Sequence, residues 1–187
     1  MRLGSLLVNG WLDDVSAIPS PNFDPRPKDV RPELIVIHAI SLPPREFGNG
    51  LVQRLFTNRL EHGLGSYTDE LLDTKVSAHF FIDRLGVITQ FVSTSCRAWH
   101  AGTSEWRGRI SCNDFSIGIE VEGCDDLPFE KKQYSTLTLL IQNLVEQIPS
   151  CSWNSLVGHS EIAPLRKTDP GPYFGWTQLE DERLRLC

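Results

Sequence analysis

A proline-rich segment near the C-terminal end of the chain carries side chains that could bind a metal ion. It covers residues 158–172, where Pro164, Pro170 and Pro172 each remove a backbone donor and restrict the preceding residue. The sequence therefore predicts a loop here, not a helix or a central strand. The loop holds one imidazole, two carboxylates and two cations, which are His159, Glu161, Arg166, Lys167 and Asp169. They could form a metal site beside a positive charge, although such residues in a polar loop are more often capping or turn residues.

A second histidine follows a predicted buried strand. Residues 34–37 are a continuous apolar run rich in β-branched side chains, which is typical of a strand buried on both faces, and His38 comes next. Residues 153–157 predict another short strand, which delivers His159 in the same way. Strand ends in α/β folds open onto the ligand crevice, so both imidazoles are placed for chemistry. The alternative for His38 is a hydrogen-bonded histidine at the edge of the core. With Asp169, the two histidines suggest a zinc site that leaves a fourth position for water.

A third predicted strand offers a proton acceptor. Residues 115–122 alternate strictly between apolar and polar, so Glu120 and Glu122 share one face. That face is usually exposed to solvent. If it lies under a crevice instead, Glu120 is a candidate general base. Residues 76–82 and 87–92 predict a β-hairpin, and His79 inside its first strand is interpreted as a core histidine.

Other elements must position these residues. Apolar side chains at helical spacing predict helices over residues 51–61, 130–148 and 176–186, the last with Trp176, Leu179 and Leu184 as its buried contacts. Residues 18–32 hold five prolines and predict an extended connection without a ladder partner. The irregular stretch 99–112, rich in tryptophan and arginine, is either a recognition surface or an ordinary surface loop.

Composition limits the class of protein. The chain has 187 residues, of which 40% are hydrophobic and 22% charged, as expected for one soluble globular domain covering residues 1–187. A net charge of -6 argues against a nucleic-acid partner. No apolar run approaches a membrane span, and the N-terminal run is too short for a signal peptide. Five cysteines without Cys-x-x-Cys spacing favour a reducing compartment. We therefore expect a cytoplasmic protein that uses neither nucleic acid nor membrane.

Six motifs in order resemble the zinc-dependent N-acetylmuramoyl-L-alanine amidases, and the resemblance extends over residues 11–176. Within that family the chain is similar to the cytosolic amidases that act on 1,6-anhydro-muropeptides during cell-wall recycling. The motifs are Ile37-His38, Val-Ser-Ala-His at 76–79, Trp-His-Ala-Gly at 99–102, Asn-Asp-Phe-Ser-Ile-Gly-Ile-Glu at 113–120, Gly158-His159 and Arg-Lys-Thr-Asp-Pro-Gly-Pro at 166–172.

The resemblance implies a fold, a cofactor and residue roles. The fold would be α/β, a single domain with a mixed central β-sheet flanked by helices, as in peptidoglycan-recognition proteins and amidases. One zinc ion per chain would be bound by His38, His159 and Asp169. Glu120 would align or deprotonate the attacking water, and Lys167 would stabilise the oxyanion.

The chemistry of a muropeptide suggests further contacts. Its bulky sugar needs a partly apolar wall, which Trp99 could supply. Carboxylates on the stem peptide need cations, for which Lys75 and Arg109 are candidates, with Asn113 as a hydrogen-bonding partner. The sequence departs from the family pattern at three positions near these contacts: Ala39 replaces a common asparagine, Leu165 a common glutamate and Lys75 a common arginine.

Three other functions compete with hydrolysis of the muropeptide amide bond. A peptidoglycan-recognition module can bind muropeptides without cutting them, but such modules typically lose a metal ligand and this chain keeps all three. A zinc peptidase of the His-Glu-x-x-His class has no such segment here. A structural zinc site needs a fourth protein ligand, for which the sequence offers no clear candidate.

Overall fold

The computed structural model describes residues 5–186. In chain order the strands are β1 (Leu7–Val8), β2 (Trp11–Leu12), β3 (Ser16–Ala17), β4 (Phe23–Pro25), β5 (Leu34–Ile40), β6 (Phe80–Ile82), β7 (Ile88–Gln90), β8 (Cys96–Ala98), β9 (Glu105–Trp106), β10 (Arg109–Ile110), β11 (Ser116–Glu122) and β12 (Leu156–Gly158). The helices are α1 (Leu51–Phe56), α2 (Ser66–Asp69), α3 (Lys131–Gln147), α4 (His159–Ile162) and α5 (Trp176–Leu184), and short 3-10 turns lie at Cys112–Asp114 and Trp153–Ser155.

A mixed six-stranded sheet forms the centre of the fold, in the order β12-β5-β11-β6-β7-β3. The first four strands of this order run parallel to one another, β6 and β7 form an antiparallel hairpin, and β3 pairs parallel with β7. Helices flank this sheet, so the predicted α/β fold with a mixed central sheet is confirmed. The parallel strands β5 and β11 are central and covered on both faces, which explains the continuous apolar run at residues 34–37.

Each face of the central strands packs against a different cluster. Ile35 and Ile37 join the cluster beneath α3, whereas Leu34 and Val36 join the cluster on the opposite face with Ile162 of α4. This alternation follows from the period of two along a strand. His38 is the next side chain on the Leu34 face. The sheet therefore directs it away from α3 and toward α4.

The predicted helix over residues 130–148 is confirmed as α3. It begins at a capping box in which the Glu130 side chain accepts from the backbone at Gln133, and Gln133 Oε1 accepts from the Glu130 N–H at 2.9 Å. Pro149 follows its end. The predicted hairpin is also present, with the positive φ of 79° at Gly86 in its turn.

Residues 18–32 were predicted to form an extended connection without a pairing strand. The extended backbone is confirmed, but the absence of a pairing strand is wrong. β4 pairs antiparallel with β8, with Phe23 opposite Ala98 and Pro25 opposite Cys96. A two-stranded ribbon tolerates Pro25 because an edge strand can turn the missing N–H outward. The ribbon then carries Arg26 to the carbonyls of Thr94, Asp114 and Ser116.

Other features also differ from the sequence predictions. The predicted strand over residues 153–157 is a 3-10 turn at Trp153–Ser155 followed by β12. α1 ends at Phe56, well before residue 61. The proline-rich loop contains one helical turn, α4, because Pro164 restricts the backbone only from Ala163 onward and the Glu161 carboxylate accepts from the Gly158 N–H at 2.7 Å. In α5 only Leu179 is buried as predicted; Trp176 and Leu184 are 38% and 60% exposed because the helix lies at the surface.

Two further features concern the helices and the cysteines. Among residues 5–186, no helix combines the length and apolar character that a membrane span requires. Within the same residues Cys96, Cys112, Cys124 and Cys151 are free thiols. Cys187 lies outside the described residues.

Candidate active site

Three side chains with metal-binding atoms converge at the carboxyl ends of β5 and β12. His38 lies inside β5, which continues two residues beyond it, not directly after the strand as predicted. β12 is parallel to β5 with Gly158 opposite Ile37, which places His159 beside His38. Asp169 comes from the loop after α4, where its carbonyl accepts from the Ser160 N–H at 2.9 Å. Their ligand atoms all lie within 4.8 Å of one another.

The distances within this cluster fit a tetrahedral metal ion. His38 Nδ1 and His159 Nδ1 are 2.9 Å apart, and they lie 3.2 and 3.1 Å from Asp169 Oδ2. Ligand atoms bound to tetrahedral zinc at bond lengths of about 2.0–2.1 Å are themselves about 3.3 Å apart. Two imidazoles and one carboxylate are also ligands that zinc accepts in catalytic sites. The residues present could therefore hold zinc and leave one coordination position open.

Burial sets the protonation of these groups. His38 and His159 are 1% and 2% exposed. Burial lowers the pKa of His38 to about 4 although Asp169 opposes this, and burial lowers the pKa of the neighbouring His100 well below its ordinary value. Burial also disfavours the charged form of Asp169, but its close polar contacts with His159 and His38 outweigh this and hold its pKa well below the ordinary value. At neutral pH His38 is therefore a neutral imidazole and Asp169 an ionised carboxylate, the forms that bind metals.

Glu120 faces the same cluster from β11. It is directly opposite His38 in the parallel pairing of β11 with β5, and its Oε1 lies 4.0 Å from His38 Nδ1. Burial, and then the charge of Asp169, raise its pKa well above the ordinary value, while Lys167 opposes the shift. Among the residues described, none forms a hydrogen bond with its Oε2. A buried carboxylate with a raised pKa and a free oxygen is suited to accept a proton.

A cleft of about 570 Å³ opens above these four residues. Trp99 and Lys167 lie in its wall, as do Tyr67, Asp125 and Thr168. The polar face of β11 therefore lies under a crevice and is not exposed to solvent as the sequence pattern usually indicates. A buried carboxylate, a candidate metal site, an indole and an ammonium group share one concave surface.

Comparison with known proteins supports a family assignment. The family described as N-acetylmuramoyl-L-alanine amidase matches residues 28–172, most of the chain and all of the residues above. The chain belongs to the N-acetylmuramoyl-L-alanine amidase family. This confirms the resemblance stated from the sequence motifs.

Comparison with individual proteins shows which members of the family this chain is similar to. This amidase is 47% identical to the 1,6-anhydro-N-acetylmuramyl-L-alanine amidase AmpD of Enterobacter cloacae, over 93% of this chain and 92% of the relative. A crystal structure of a selenomethionine AmpD derivative matches with a TM-score of 0.91 and 45% identity, covering 95% of this chain and 98% of the other. A complex of AmiD from E. coli with anhydro-N-acetylmuramic acid-L-Ala-D-gamma-Glu-L-Lys matches with a TM-score of 0.59 and 29% identity, covering 84% and 60%.

The residues predicted to bind substrate occupy different positions in this amidase. Trp99 lines the cleft, while Lys75 is exposed between two lining residues, Thr74 and Val76. Arg109 and Asn113 do not line it. Arg109 pairs with Glu33 at 2.7 Å and lies 3.9 Å above the Phe115 ring. Asn113 Oδ1 accepts from the backbone N–H groups of residues 100 and 101. The substrate contacts of all four stay predictions, and the last two side chains have partners within the protein.

Two charged residues of the proline-rich loop have structural roles. Glu161 accepts from the Gly158 N–H and does not join the cluster. Arg166 donates to the carbonyls of Ala101 and Thr103, so it joins α4 to the loop that carries Trp99. His79 lies just before β6, not inside a strand as predicted. It is the hydrogen-bonded core histidine that the sequence predicted: its Nδ1 accepts from the Gly118 N–H at 3.0 Å.

Sequence reasoning missed one residue at the site. His100 is 9% exposed, lines the cleft, and places its Nδ1 2.9 Å from His38 Nε2. The signal that could have located it is Gly118 in the middle of β11, because a glycine inside a strand often marks the close approach of another group. A Cβ at position 118 would lie 2.4 Å from His100 Cγ.

Proposed function

We propose that this amidase hydrolyses the amide bond between the lactyl group of 1,6-anhydro-N-acetylmuramic acid and L-alanine in muropeptides, as part of peptidoglycan recycling. The observation that carries the proposal is the meeting of His38, His159, Asp169 and Glu120 beneath one cleft. The names of the relatives support the choice of substrate.

The proposed cofactor is one zinc ion per chain, held by His38 Nδ1, His159 Nδ1 and one oxygen of Asp169. When bound, zinc supplies a Lewis acid that polarises the amide carbonyl and lowers the pKa of a water molecule toward about 7. The mutual distances of 2.9, 3.1 and 3.2 Å among the ligand atoms support this ligand set.

Glu120 is the proposed general base and acid. Its carboxylate would take a proton from the attacking water as the water oxygen bonds to the lactyl carbonyl carbon. It would return that proton to the alanine nitrogen as the carbon–nitrogen bond breaks, which yields a carboxylic acid and a free amine. A raised pKa suits both steps, because the same group must accept a proton and then donate it near neutral pH.

Lys167 is the proposed electrostatic stabiliser of the reaction. It lines the cleft two residues before Asp169, on the segment fixed by the hydrogen bond from its own N–H to the Ala163 carbonyl at 3.0 Å. Its ammonium group would face the negative charge that develops on the carbonyl oxygen, where a fixed cation lowers the barrier more than it strengthens substrate binding.

Trp99 is proposed to form the apolar wall for the sugar. Its indole is half-buried in the cleft, and its backbone N–H donates to Ser77 Oγ at 3.1 Å. A fixed aromatic ring can bind the sugar with little loss of conformational entropy. The exposed Lys75 beside the cleft is the cation that we propose for a stem-peptide carboxylate.

We further propose that the whole chain functions as a single domain in the cytoplasm, without nucleic-acid or membrane partners. One sheet joins the clusters on its two faces into a single structure. Free thiols at all four described cysteines suit a reducing compartment.

Mass spectrometry of reaction products tests the proposed function. Purified protein is incubated with anhydro-muropeptide, with and without a chelator, and the products are weighed. We expect free stem peptide and anhydro-N-acetylmuramic acid from the untreated protein, no products after chelation, and recovery on adding zinc. Peptides cut between amino acids, or unchanged turnover of protein shown to be metal-free, would contradict the proposal.

A further inference from the structure

His100 lies between the candidate metal site and the protein interior. Its ring contacts the ring of His38 edge-on, at 87° and 5.0 Å between centroids. Its Nδ1 is 2.9 Å from His38 Nε2, and its Nε2 is 3.1 Å from Ser116 Oγ. Both ring nitrogens therefore have hydrogen-bond partners, and neither points into the cluster of ligand atoms.

The direction of these hydrogen bonds follows from Ser116. Its hydroxyl is 2.5 Å from the Cys112 carbonyl, which can only accept, so the hydroxyl donates there. Ser116 Oγ must then accept from His100 Nε2–H. A neutral imidazole has one N–H, so His100 Nδ1 is an acceptor and the proton between the two histidines belongs to His38 Nε2. His38 Nδ1 therefore carries a lone pair, directed at His159 and Asp169.

Ala101, the residue after His100, fixes the tautomer of His159 in the same way. His159 Nε2 is 3.1 Å from the Ala101 carbonyl, so this nitrogen carries the proton and Nδ1 carries the lone pair. Asn113 Oδ1 accepts from the N–H groups of both His100 and Ala101, at 3.1 and 2.8 Å. One dipeptide, anchored by one side chain, therefore contacts both imidazoles of the cluster.

We propose that His100 is a positioning residue that holds His38 in the tautomer with a free Nδ1, and that Ser116 sets the direction of this hydrogen bond. The inference rests on the zinc site of the proposed function. Hydrogen-bond partners of this kind fix the tautomer and the orientation of a metal-binding histidine, and losing one typically costs about 10–100-fold in metal affinity or activity.

The backbone supports this role for His100. The imidazole lies against Gly118, where a Cβ would be 2.4 Å from Cγ and 2.6 Å from Nδ1. The Ser116–Gly118 part of β11 thus supplies both the acceptor for the ring and the space that the ring occupies. Packing alone would not require a hydroxyl next to His100 Nε2. The Ser116 hydroxyl already donates its proton to the Cys112 carbonyl, so it can only accept from His100.

A matched pair of variants tests the role through zinc affinity. Asn and Leu have the same shape, but only Asn places an oxygen where His100 Nδ1 lies. We expect His100→Leu to weaken zinc binding about 10–100-fold in competition with a chelator. His100→Asn should retain affinity within about threefold of the wild type, because its amide oxygen accepts from His38. Equal zinc affinity of the Leu variant and the wild type would overturn the inference.

A second measurement reads the proton positions directly. Imidazole ¹⁵N spectra of the zinc-loaded wild type should show protons on Nε2 of His38, His100 and His159. Ser116→Ala, which leaves the ring of His100 in place, should allow part of the His100 population to move its proton to Nδ1. A proton on His100 Nδ1 in the wild type would overturn the inference while leaving the zinc site intact. Wild-type protein that binds no zinc would instead remove the proposed function together with the inference.

Discussion

His38 and Glu120 are opposite each other on adjacent parallel strands, with 4.0 Å between His38 Nδ1 and Glu120 Oε1. Opposite residues of parallel strands project from the same face of a sheet, so this pairing brings the proposed metal ligand and the proposed general base together before any loop contributes. Glu120 is not one of the three residues whose ligand atoms form the candidate metal site. A change at Glu120 can therefore alter proton transfer and leave metal binding intact.

The first prediction follows from that separation. Glu120→Gln keeps the shape of the side chain but removes its basicity, so kcat should fall about 10²–10⁴-fold while zinc content stays at the wild-type value. Turnover with anhydro-muropeptide and metal analysis of the same sample are the measurements. Glu122→Gln is the matched control. Glu122 accepts from the N–H groups of Gly48 and Arg84, so its variant should lose thermal stability before it loses turnover.

The second prediction concerns metal stoichiometry. Protein purified without added metal should contain one zinc per chain, because the three ligand atoms leave one open position of a tetrahedron. Asp169→Ala should reduce zinc affinity and activity together, since it removes one of those ligands. Elemental analysis of wild type and variant measures both. Full activity in protein with no bound metal would contradict the assignment.

The third prediction separates Lys167 from the metal ligands. Lys167→Ala should keep its zinc while kcat drops about 10²–10³-fold, the usual cost of losing a group that stabilises an oxyanion. The exposed Lys28 provides a control substitution of the same type, which should not change kcat. If Lys167→Ala lost zinc or kept wild-type turnover, its assigned role would be wrong.

The fourth prediction concerns stability and pH. Hydrogen bonds from Arg97, opposed by burial, lower the pKa of Asp24, which joins the β4–β8 ribbon. A carboxyl whose pKa is lower in the folded state contributes stability above its unfolded pKa of about 3.9 and loses it as pH falls through the folded value. Asp24→Asn should therefore lower the free energy of unfolding at pH 7 by at most about 1 kcal/mol, because the pair is about a third exposed.

Denaturation curves at several pH values check this sign. The difference between wild type and Asp24→Asn should shrink as the pH is lowered below about 4. Asp73→Asn, at an exposed carboxyl, is the control and should show little difference at either pH. A difference that grows toward acid would show that the Asp24 carboxylate does not stabilise the ribbon.

The sequence was most informative where local chemistry decides the outcome. The apolar run at residues 34–37, the periodicity of α3 and the hairpin at Gly86 all reflect local patterns, and each was predicted correctly. The pairing of Pro25 with Cys96 and the exposure of Leu184 were not, because both depend on which distant segments meet. His100 was missed for the same reason: its partner His38 is 62 residues away.

The face of β11 that holds Glu120 shows the same limit. The strict alternation of apolar and polar residues correctly predicted which side chains share that face. The same sequence pattern, however, occurs on a face exposed to solvent and on a face that lines a cleft. The three-dimensional arrangement decides between them, because the loop after β8 and the loop after α4 cover the carboxyl end of the sheet. Glu120 is consequently 9% exposed, and burial raises its pKa well above the ordinary value.

The last prediction concerns which sugar the cleft accepts. Trp99 is half-buried in the cleft wall, and its backbone N–H donates to Ser77 Oγ at 3.1 Å. An aromatic ring fixed in this way favours one sugar shape, and a cytoplasmic amidase would meet recycled anhydro-sugar fragments. We therefore expect kcat/KM for an anhydro-muropeptide to exceed that for the matched reducing muropeptide by at least about tenfold, which corresponds to ~1.4 kcal/mol.

Substitution of the tryptophan tests the source of that preference. Trp99→Ala should raise KM for the sugar-bearing substrate, reduce the ratio between the two sugars and leave zinc content unchanged, because Trp99 is not one of the three proposed zinc ligands. Trp176→Ala is the control, since that indole is 38% exposed and does not line the cleft. Equal kcat/KM values for the two wild-type reactions would remove the case for an anhydro-specific pocket. A preference that survives in Trp99→Ala would assign the selectivity to another part of the cleft wall, where Tyr67 is the exposed aromatic side chain to test next.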